Sequence, residues 1–295
     1  MVKISLGPIQ YYWKKQQVFD FYNEVSELPV ERVYLGETVC SKRRELRLED
    51  WLEIAQQLTT SGKQVCLSTM TLIEAASELS QLKKLCQAEH GFMVEANDYG
   101  AVQFCSESQT PFIAGAMLNL YNHRSVEKML ALGAQGWVMP YEMTRQSLSA
   151  LLNGLSPEVA DKANTEVFSW GKVPLAYSAR CFTARHHELP KDSCQLVCGE
   201  YPEGLALESQ EQQRFLNING IQTQSGHSYN LLSEWRDMQA LGITWMRISP
   251  SLSNTKSIVE TLANAIEMNS DIARACADDE CNGYWFGRSG LERVA

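Results

Sequence analysis

The chain has 295 residues, 44% of them hydrophobic, with a formal net charge of -9 at pH 7. That length allows one large α/β barrel or two ordinary domains, and the acidic balance argues against a broad nucleic-acid or acidic-membrane surface. No uninterrupted apolar stretch approaches the ~20 residues that cross a bilayer. The opening MVKISLGPIQ lacks the pattern of a secretory signal, so reducing cytoplasm is the expected compartment.

Short β-rich runs alternate with helical patterns along most of the chain. Strands are predicted at residues 2–7 (VKISLG) and 31–36 (ERVYLG). A helix is expected in LEDWLEIAQQLTT, where Leu48, Trp51, Leu52, Ile54 and Leu58 share one stripe and Glu49 and Asp50 suit the positive helix start. After a strand at 64–70 the same spacing recurs from Thr71 through TLIEAASELSQLKKL. Strands at 91–96 and 111–116 follow, and Asn97-Asp98 after the first of these reads as a helix cap. A helix from Ser125 is expected to stop at Gly133 in a left-handed cap. Further strands are predicted at 136–140, within 167–177, and at 214–220. A last helix, LLSEWRDMQALG, closes at Gly242 before a strand at 243–249.

Strand–helix alternation of this length, with short connections, predicts a parallel sheet. Eight or nine strands fit a closed (β/α)8, TIM-barrel-like α/β fold, and GPIQYYW lacks the G-x-G-x-x-G of a doubly wound sheet. The expectation is a single barrel-like domain over 1–295, with a cysteine-rich insertion near 171–226 built as an elaborated loop or hairpin. In a barrel, residues just after the strands converge on one rim. That logic gathers Cys40 and Cys181, together with Glu37, Asn97, Asp98, Asn119, Asn122, Pro140, Glu142 and Arg180.

Nine cysteines are present, many for a chain of this predicted compartment. Cys66, Cys86 and Cys105 lie in apolar or helical patterns and read as small buried residues. Cys276 and Cys281 form C-x4-C with no third thiol nearby, too few for a metal site. The remaining four stand apart: Cys181, Cys194 and Cys198 read C-x12-C-x3-C within RCFTARHHELPKDSCQLVC, and Cys40 ends VYLGETVC. Soft thiolates gathered in this way point to a metal centre. Zinc and iron–sulfur clusters both accept four thiolates. A wide spread with a single short pair suits the larger cluster, with zinc and ordinary thiols left as alternatives. Lys42, Arg43, Arg44, Arg180 and Arg185 flank the cysteines and would offset the negative charge of such a cluster. The competing readings are that Lys42 to Arg44 begin an exposed helix and that His186 and His187 are simply solvated. No G-x-S-x-G, H-E-x-x-H or phosphate loop is present.

GPIQYYW, YLGETVCSKRRE, VEANDYGAV, NLYNHRSVEKMLALGAQGWVMPYEM and PLAYSARCFTARHHELPKDSCQLVC together make the whole chain resemble the collagenase-like peptidase family. In the collagenase-like branch a cysteine usually lies seven positions before the one matching Cys181. Pro174 stands there in this chain, and Cys40 takes that cysteine's place. The resemblance implies a [4Fe-4S] cluster held by Cys40, Cys181, Cys194 and Cys198. It implies a heterodimer with another family member, UbiU, that supports oxygen-independent hydroxylation of a ubiquinone precursor. Prephenate is the oxygen donor that related members point to. Three other roles stay open at this stage: a collagenase-like peptidase using zinc or a thiol, a non-catalytic, cluster-bearing partner subunit, and RNA-base hydroxylation, which the acidic balance weakens.

Overall fold

The computed structural model describes residues 1–87, 90–274 and 279–294. Its strands are β1 (Lys3–Leu6), β2 (Arg32–Leu35), β3 (Gln64–Ser68), β4 (Met93–Ala96), β5 (Phe112–Ala114), β6 (Ala134–Val138), β7 (Thr165–Tyr177), β8 (Leu205–Glu208), β9 (Arg214–Asn219), β10 (Gln222–Asn230), β11 (Trp245–Ile248) and β12 (Glu280–Cys281). The helices are α1 (Lys15–Glu27), α2 (Leu48–Thr60), α3 (Ala76–Cys86), α4 (Tyr99–Ser108), α5 (His123–Ala131), α6 (Arg145–Asn153), α7 (Pro157–Ala160), α8 (Phe182–His186), α9 (Trp235–Ala240) and α10 (Thr255–Glu267).

Strands β1 to β7 pair in parallel in chain order, and β11 pairs with both β7 and β1, closing an eight-stranded barrel. This is the TIM-barrel-like fold that the alternation predicts. Val33, Tyr34, Leu35, Val94, Phe112 and Ile113 are buried because a closed parallel sheet has helices outside and packed side chains inside. Helix α2 occupies the predicted segment and buries Ile54, Ala55 and Leu58. Asp98 caps α4, accepting from Gly100 N–H at 2.6 Å, and Asn122 caps α5, accepting from Ser125 N–H at 3.0 Å. Gly133 takes φ +108° and Gly242 φ +77°, ending the preceding helices as expected. No helix among the described residues is long and apolar enough to cross a membrane.

Two segments depart from the sequence reading. Helix α3 begins at Ala76 rather than Thr71. Thr71 N–H donates instead to Thr38 O (3.2 Å), and Glu78 accepts from the N–H groups of Glu74 (2.6 Å) and Ala75 (3.0 Å). Residues 71–75 therefore serve as a connection. The second departure concerns the strand predicted at 214–220, which forms as β9 outside the barrel. The first half of β7 belongs to the barrel, and its second half runs on beyond the rim to pair antiparallel with β10. Strand β10 then pairs with β9, and β9 with β8. The insertion is thus a twisted antiparallel sheet growing out of one barrel strand, larger than a hairpin.

The barrel interior is polar at its centre. Glu166 Oε1 accepts from Arg247 Nε at 2.5 Å and Ser5 Oγ at 2.7 Å, while its Oε2 accepts from Tyr34 Oη at 2.5 Å and Arg32 Nη1 at 3.3 Å. Arg247 Nη1 also donates to Glu95 Oε1 at 2.6 Å, and Ser68 Oγ donates to Glu95 Oε2 at 2.6 Å. Burial pushes Glu166 up, but Arg247, Arg32 and their hydrogen bonds outweigh it and leave the carboxyl below its ordinary range. A depressed folded-state value means that this group's stabilisation is present above the unfolded Glu value of ~4.3 and fades as pH falls through the folded value. Glu166→Gln leaves two buried guanidinium groups short of their counter-charge and should cost about 3–5 kcal/mol at pH 7. Urea titrations at pH 7 and below ~4.3 check both points, because the variant should also lose stability less steeply than the wild type in acid.

Candidate metal centre

The carboxyl end of β2 sets up the first thiol. Gly36 has φ +128°, and a Cβ there would lie 2.7 Å from Ser68 O, so the chain turns at this point only with glycine. Glu37 Oε1 then accepts from the N–H groups of Val39 (2.8 Å) and Cys40 (3.0 Å), folding the loop back and leaving Cys40 half-buried. Burial pushes Glu37 up, and Arg43 with those two N–H groups only partly offsets it.

The other three thiols lie on the segment after β7. Cys181 is the N-cap of α8, and its Sγ accepts from Ala184 N–H at 3.4 Å. Cys194 ends the short 3-10 turn Lys191–Ser193, and Cys198 sits in the next one, Val197–Glu200. All three are half-buried.

Two basic residues beside Cys40 tie these segments together. Lys42 Nζ donates to Lys191 O (2.7 Å) and pairs with Asp192 Oδ1 (3.1 Å). Lys191 Nζ in turn pairs with Glu74 and donates to Ala179 O at 2.7 Å. Arg43 is buried, with Nη1 donating to Gln10 O (2.8 Å) and Nη2 to Asn219 Oδ1 (2.7 Å). Asn219 Nδ2 donates to Gln10 O (2.7 Å) and Gln222 Oε1 (2.9 Å), and Gln222 Nε2 reaches Gln10 Oε1 (2.7 Å) and Tyr177 Oη (2.6 Å). Lys42 and Arg43 thus begin no helix; they fasten the antiparallel sheet and the cysteine segment to the barrel mouth.

The Arg43 guanidinium sits beside the sulfurs of Cys198 and Cys40. Burial pushes both thiols up, Arg43 pulls them back, and Cys181 and Glu37 add to the rise. Cys40, Cys181 and Cys198 therefore share one electrostatic neighbourhood, with Cys194 four residues from Cys198 on the same turn-rich segment. Among the described residues, no three His, Cys, Asp or Glu side chains group tightly enough to hold one metal ion. What the thiols share is a neighbourhood rather than a single-ion shell.

An anionic, sulfur-rich group suits this donor set. The candidate donors are soft thiols, N–H groups of Ala184 and Lys42 point at the sulfurs of Cys181 and Cys40, and the buried Arg43 Nε has no hydrogen-bond partner. Cys66, Cys86, Cys105 and Cys281 are instead 0–1% exposed in the core. Cys276 lies outside the described residues.

The remaining rim candidates do structural work or face solvent. Asn97 is buried, with Nδ2 donating to Thr69 O at 3.0 Å. Asp98 and Asn122 are the helix caps described above, and Asn119 ends a 3-10 turn with φ +56°. Glu142 accepts from Tyr121 Oη at 2.6 Å, Pro140 is buried and Arg180 is exposed. His186 is exposed, and His187 Nε2 lies 2.9 Å from Tyr201 Oη. Gln10, Asn219 and Gln222 went unnoticed in the sequence, where nothing local marks three amides so far apart as partners.

A closed parallel barrel whose seventh strand leads into a cysteine-bearing segment and an antiparallel sheet is the class of protein these elements define. The model of peptidase family U32 matches residues 20–281, a span that includes all four half-buried cysteines, and the chain belongs to that family. Among solved structures it is similar to the U32 peptidase Mk0906, with a TM-score of 0.47 and 10% identity over 85% of this chain and 93% of that one. It is also similar to dihydropteroate synthase from Thermus thermophilus (TM-score 0.45, 10% identity, 90% and 94% covered). A third likeness is to the phospho-2-dehydro-3-deoxyheptonate aldolase of Thermotoga maritima (TM-score 0.43, 10% identity, 92% and 71% covered). At these scores the likenesses say nothing about chemistry.

The burial difference predicts an order of reaction. Iodoacetamide added to native, metal-free protein should label Cys40, Cys181, Cys194 and Cys198 before Cys66, Cys86, Cys105 and Cys281. Peptide mass spectrometry at partial labelling reads the order, and early modification of Cys66 would contradict it.

Proposed function

We propose that this chain is a UbiV-like iron–sulfur subunit. In this reading it acts with UbiU in the oxygen-independent hydroxylation of a ubiquinone precursor, in the cytoplasm, with prephenate as oxygen donor. The observation that carries the proposal is the fastening of the Cys40 loop onto the segment bearing Cys181, Cys194 and Cys198 through Lys42 and Arg43. Cys40 stands in for the ligand that relatives carry at the position of Pro174, which here is buried in β7 opposite Gln224.

A [4Fe-4S] cluster held by Cys40, Cys181, Cys194 and Cys198 would supply one-electron chemistry, its potential set by neighbouring charge and hydrogen bonds. The chain's own residues prepare for that group. Arg43 offers positive charge to the thiolates, Ala184 N–H donates to the Cys181 sulfur, and Glu37 holds the Cys40 loop in place. Four cysteine ligands leave no open iron, which favours a relay or structural role over direct substrate activation.

Iron and sulfide assays on anaerobically purified protein test the reading, with about four of each expected per chain. Cys40→Ala should lose the brown colour and most of the iron. Full iron in that variant would refute the shared site, and zinc in the wild type would return the peptidase reading. Size-exclusion chromatography with UbiU should give a single heterodimer peak.

A further inference from the structure

Cys181 is approached from outside along one short helix. It caps α8, whose Thr183 and Ala184 are buried. Gly220 N–H donates to Thr183 Oγ1 at 2.9 Å, and Phe182 N–H donates to Gly220 O at 3.0 Å. Those contacts with the turn between β9 and β10 fix which way the helix faces. Phe182, Arg185 and His186, spaced three and four residues apart, are left exposed on its outer side, and exposed Arg180 precedes the cap. Phe182 is 38% exposed although its chain neighbour is a half-buried thiol.

The charge of this face runs against that of the chain. Of 35 Asp and Glu residues in a protein of net charge -9, none falls between Glu166 and Glu188. The same interval carries Lys172, Arg180, Arg185, His186 and His187. Among the described residues, neither the Arg180 nor the Arg185 guanidinium has a carboxylate within 4.0 Å. A positive face with free guanidinium groups draws in acidic partners from a distance. Arginine around an exposed aromatic is also the composition of protein-binding patches. Nucleic acid fits less well, because two guanidinium groups neutralise few phosphates and the remaining acidic surface repels them. On the other side of the centre, the Cys40 loop borders an apolar cavity of about 630 Å³ between α2 and α3, lined by Trp51, Leu67, Ile73 and Leu82. That hollow has the size of a small-molecule site, so the outer face of α8 is the approach open to a protein.

We propose that Arg180, Phe182 and Arg185 form a docking surface for a small acidic protein that carries single electrons on a flavin or iron–sulfur centre. The partner's carboxylates meet the two arginines, and its apolar contact falls on Phe182, beside Cys181. A patch of this extent suits a short-lived encounter, since electron-transfer complexes lie at the low end of interface size. The exchange moves one electron and no atoms: the carrier loses it, and the group held by the thiols gains it. That the partner carries electrons rests on the proposed function; that it is an acidic protein rests on the face itself.

The test uses full-length protein purified without oxygen. Flavodoxin serves as the acidic carrier, with a polyglutamate peptide and a single-stranded RNA as comparison probes. Surface plasmon resonance should show flavodoxin binding that weakens at least about tenfold as salt rises from ~50 to ~300 mM. Polyglutamate offers Phe182 no apolar contact and should bind at least about tenfold more weakly, and RNA should not bind. Arg180→Glu with Arg185→Glu should weaken flavodoxin binding by more than about tenfold. Phe182→Ser should weaken it about fivefold and leave its salt dependence unchanged. Lys256→Glu, an exposed charge reversal on α10, should leave the affinity as it is. Iron content measured on each variant separates lost docking from a damaged centre, and the neutral Phe182→Ser change decides the matter where charge reversal costs iron. No flavodoxin binding, equal binding of either comparison probe, or a Lys256→Glu effect as large as the double reversal overturns the proposal. Iron held without carrier binding removes the docking surface alone, whereas carrier binding by a protein that never holds iron removes the proposed function and keeps the surface.

Discussion

A buried guanidinium, Arg43, stands at the centre of the contacts that hold the antiparallel sheet against the barrel mouth. Arg43 leaves water only because Gln10 from the first strand's loop and Asn219 from the antiparallel sheet both accept its protons, with Glu37 at 4.0 Å as counter-charge. A charge buried without those partners would be strongly destabilising, so the sheet has to fold back onto the barrel for the loop after β2 to be tolerated. Asn219 and Gln222 extend the same network to Tyr177, at the end of the long seventh strand. Each member is held through another, which makes the arrangement cooperative and geometrically demanding. The cysteines inherit that precision, since Cys40 lies three residues before the clamp and Cys198 lies beside it.

The barrel solves a similar problem inside. Parallel barrels ordinarily fill their centre with branched apolar side chains. Here Arg32 and Arg247 share Glu166, Arg247 also holds Glu95, and the Arg247 guanidinium stacks 4.0 Å from the Tyr34 ring centroid. Such a lattice contributes less to net stability than an apolar core of equal volume, yet it permits few alternative packings. It also carries polarity from the closed end of the sheet up to Ser68, Thr69 and Asn97 at the mouth. The thiol segment, the apolar cavity and this polar column all meet at one end of the barrel.

Much of the architecture was legible because its signals are local. Strand and helix periods, the caps at Asp98, Gly133 and Gly242, and the apolar settings of Cys66, Cys86 and Cys105 each depend on a few neighbouring residues. Strand β10 (QTQSGHSYN) was not legible, because its polar side chains bond to partners more than 40 residues away, such as Tyr177, rather than alternating with an apolar face. The start of α3 was missed for a related reason. Thr71 is a competent first-turn residue, but its N–H is claimed by Thr38 from another loop.

Residue order alone therefore determined the barrel class, its eight strands and the four cysteines that differ from the rest, because period, capping and composition act over a few positions. Which loops touch was decided only in three dimensions. Lys42 meeting Asp192, Arg43 meeting Asn219 and the hollow left between α2 and α3 all depend on where closure of the barrel and the twist of the inserted sheet bring distant segments. Those meetings are long-range hydrogen bonds and packing gaps, and their energy belongs to pairs of segments rather than to any stretch of chain.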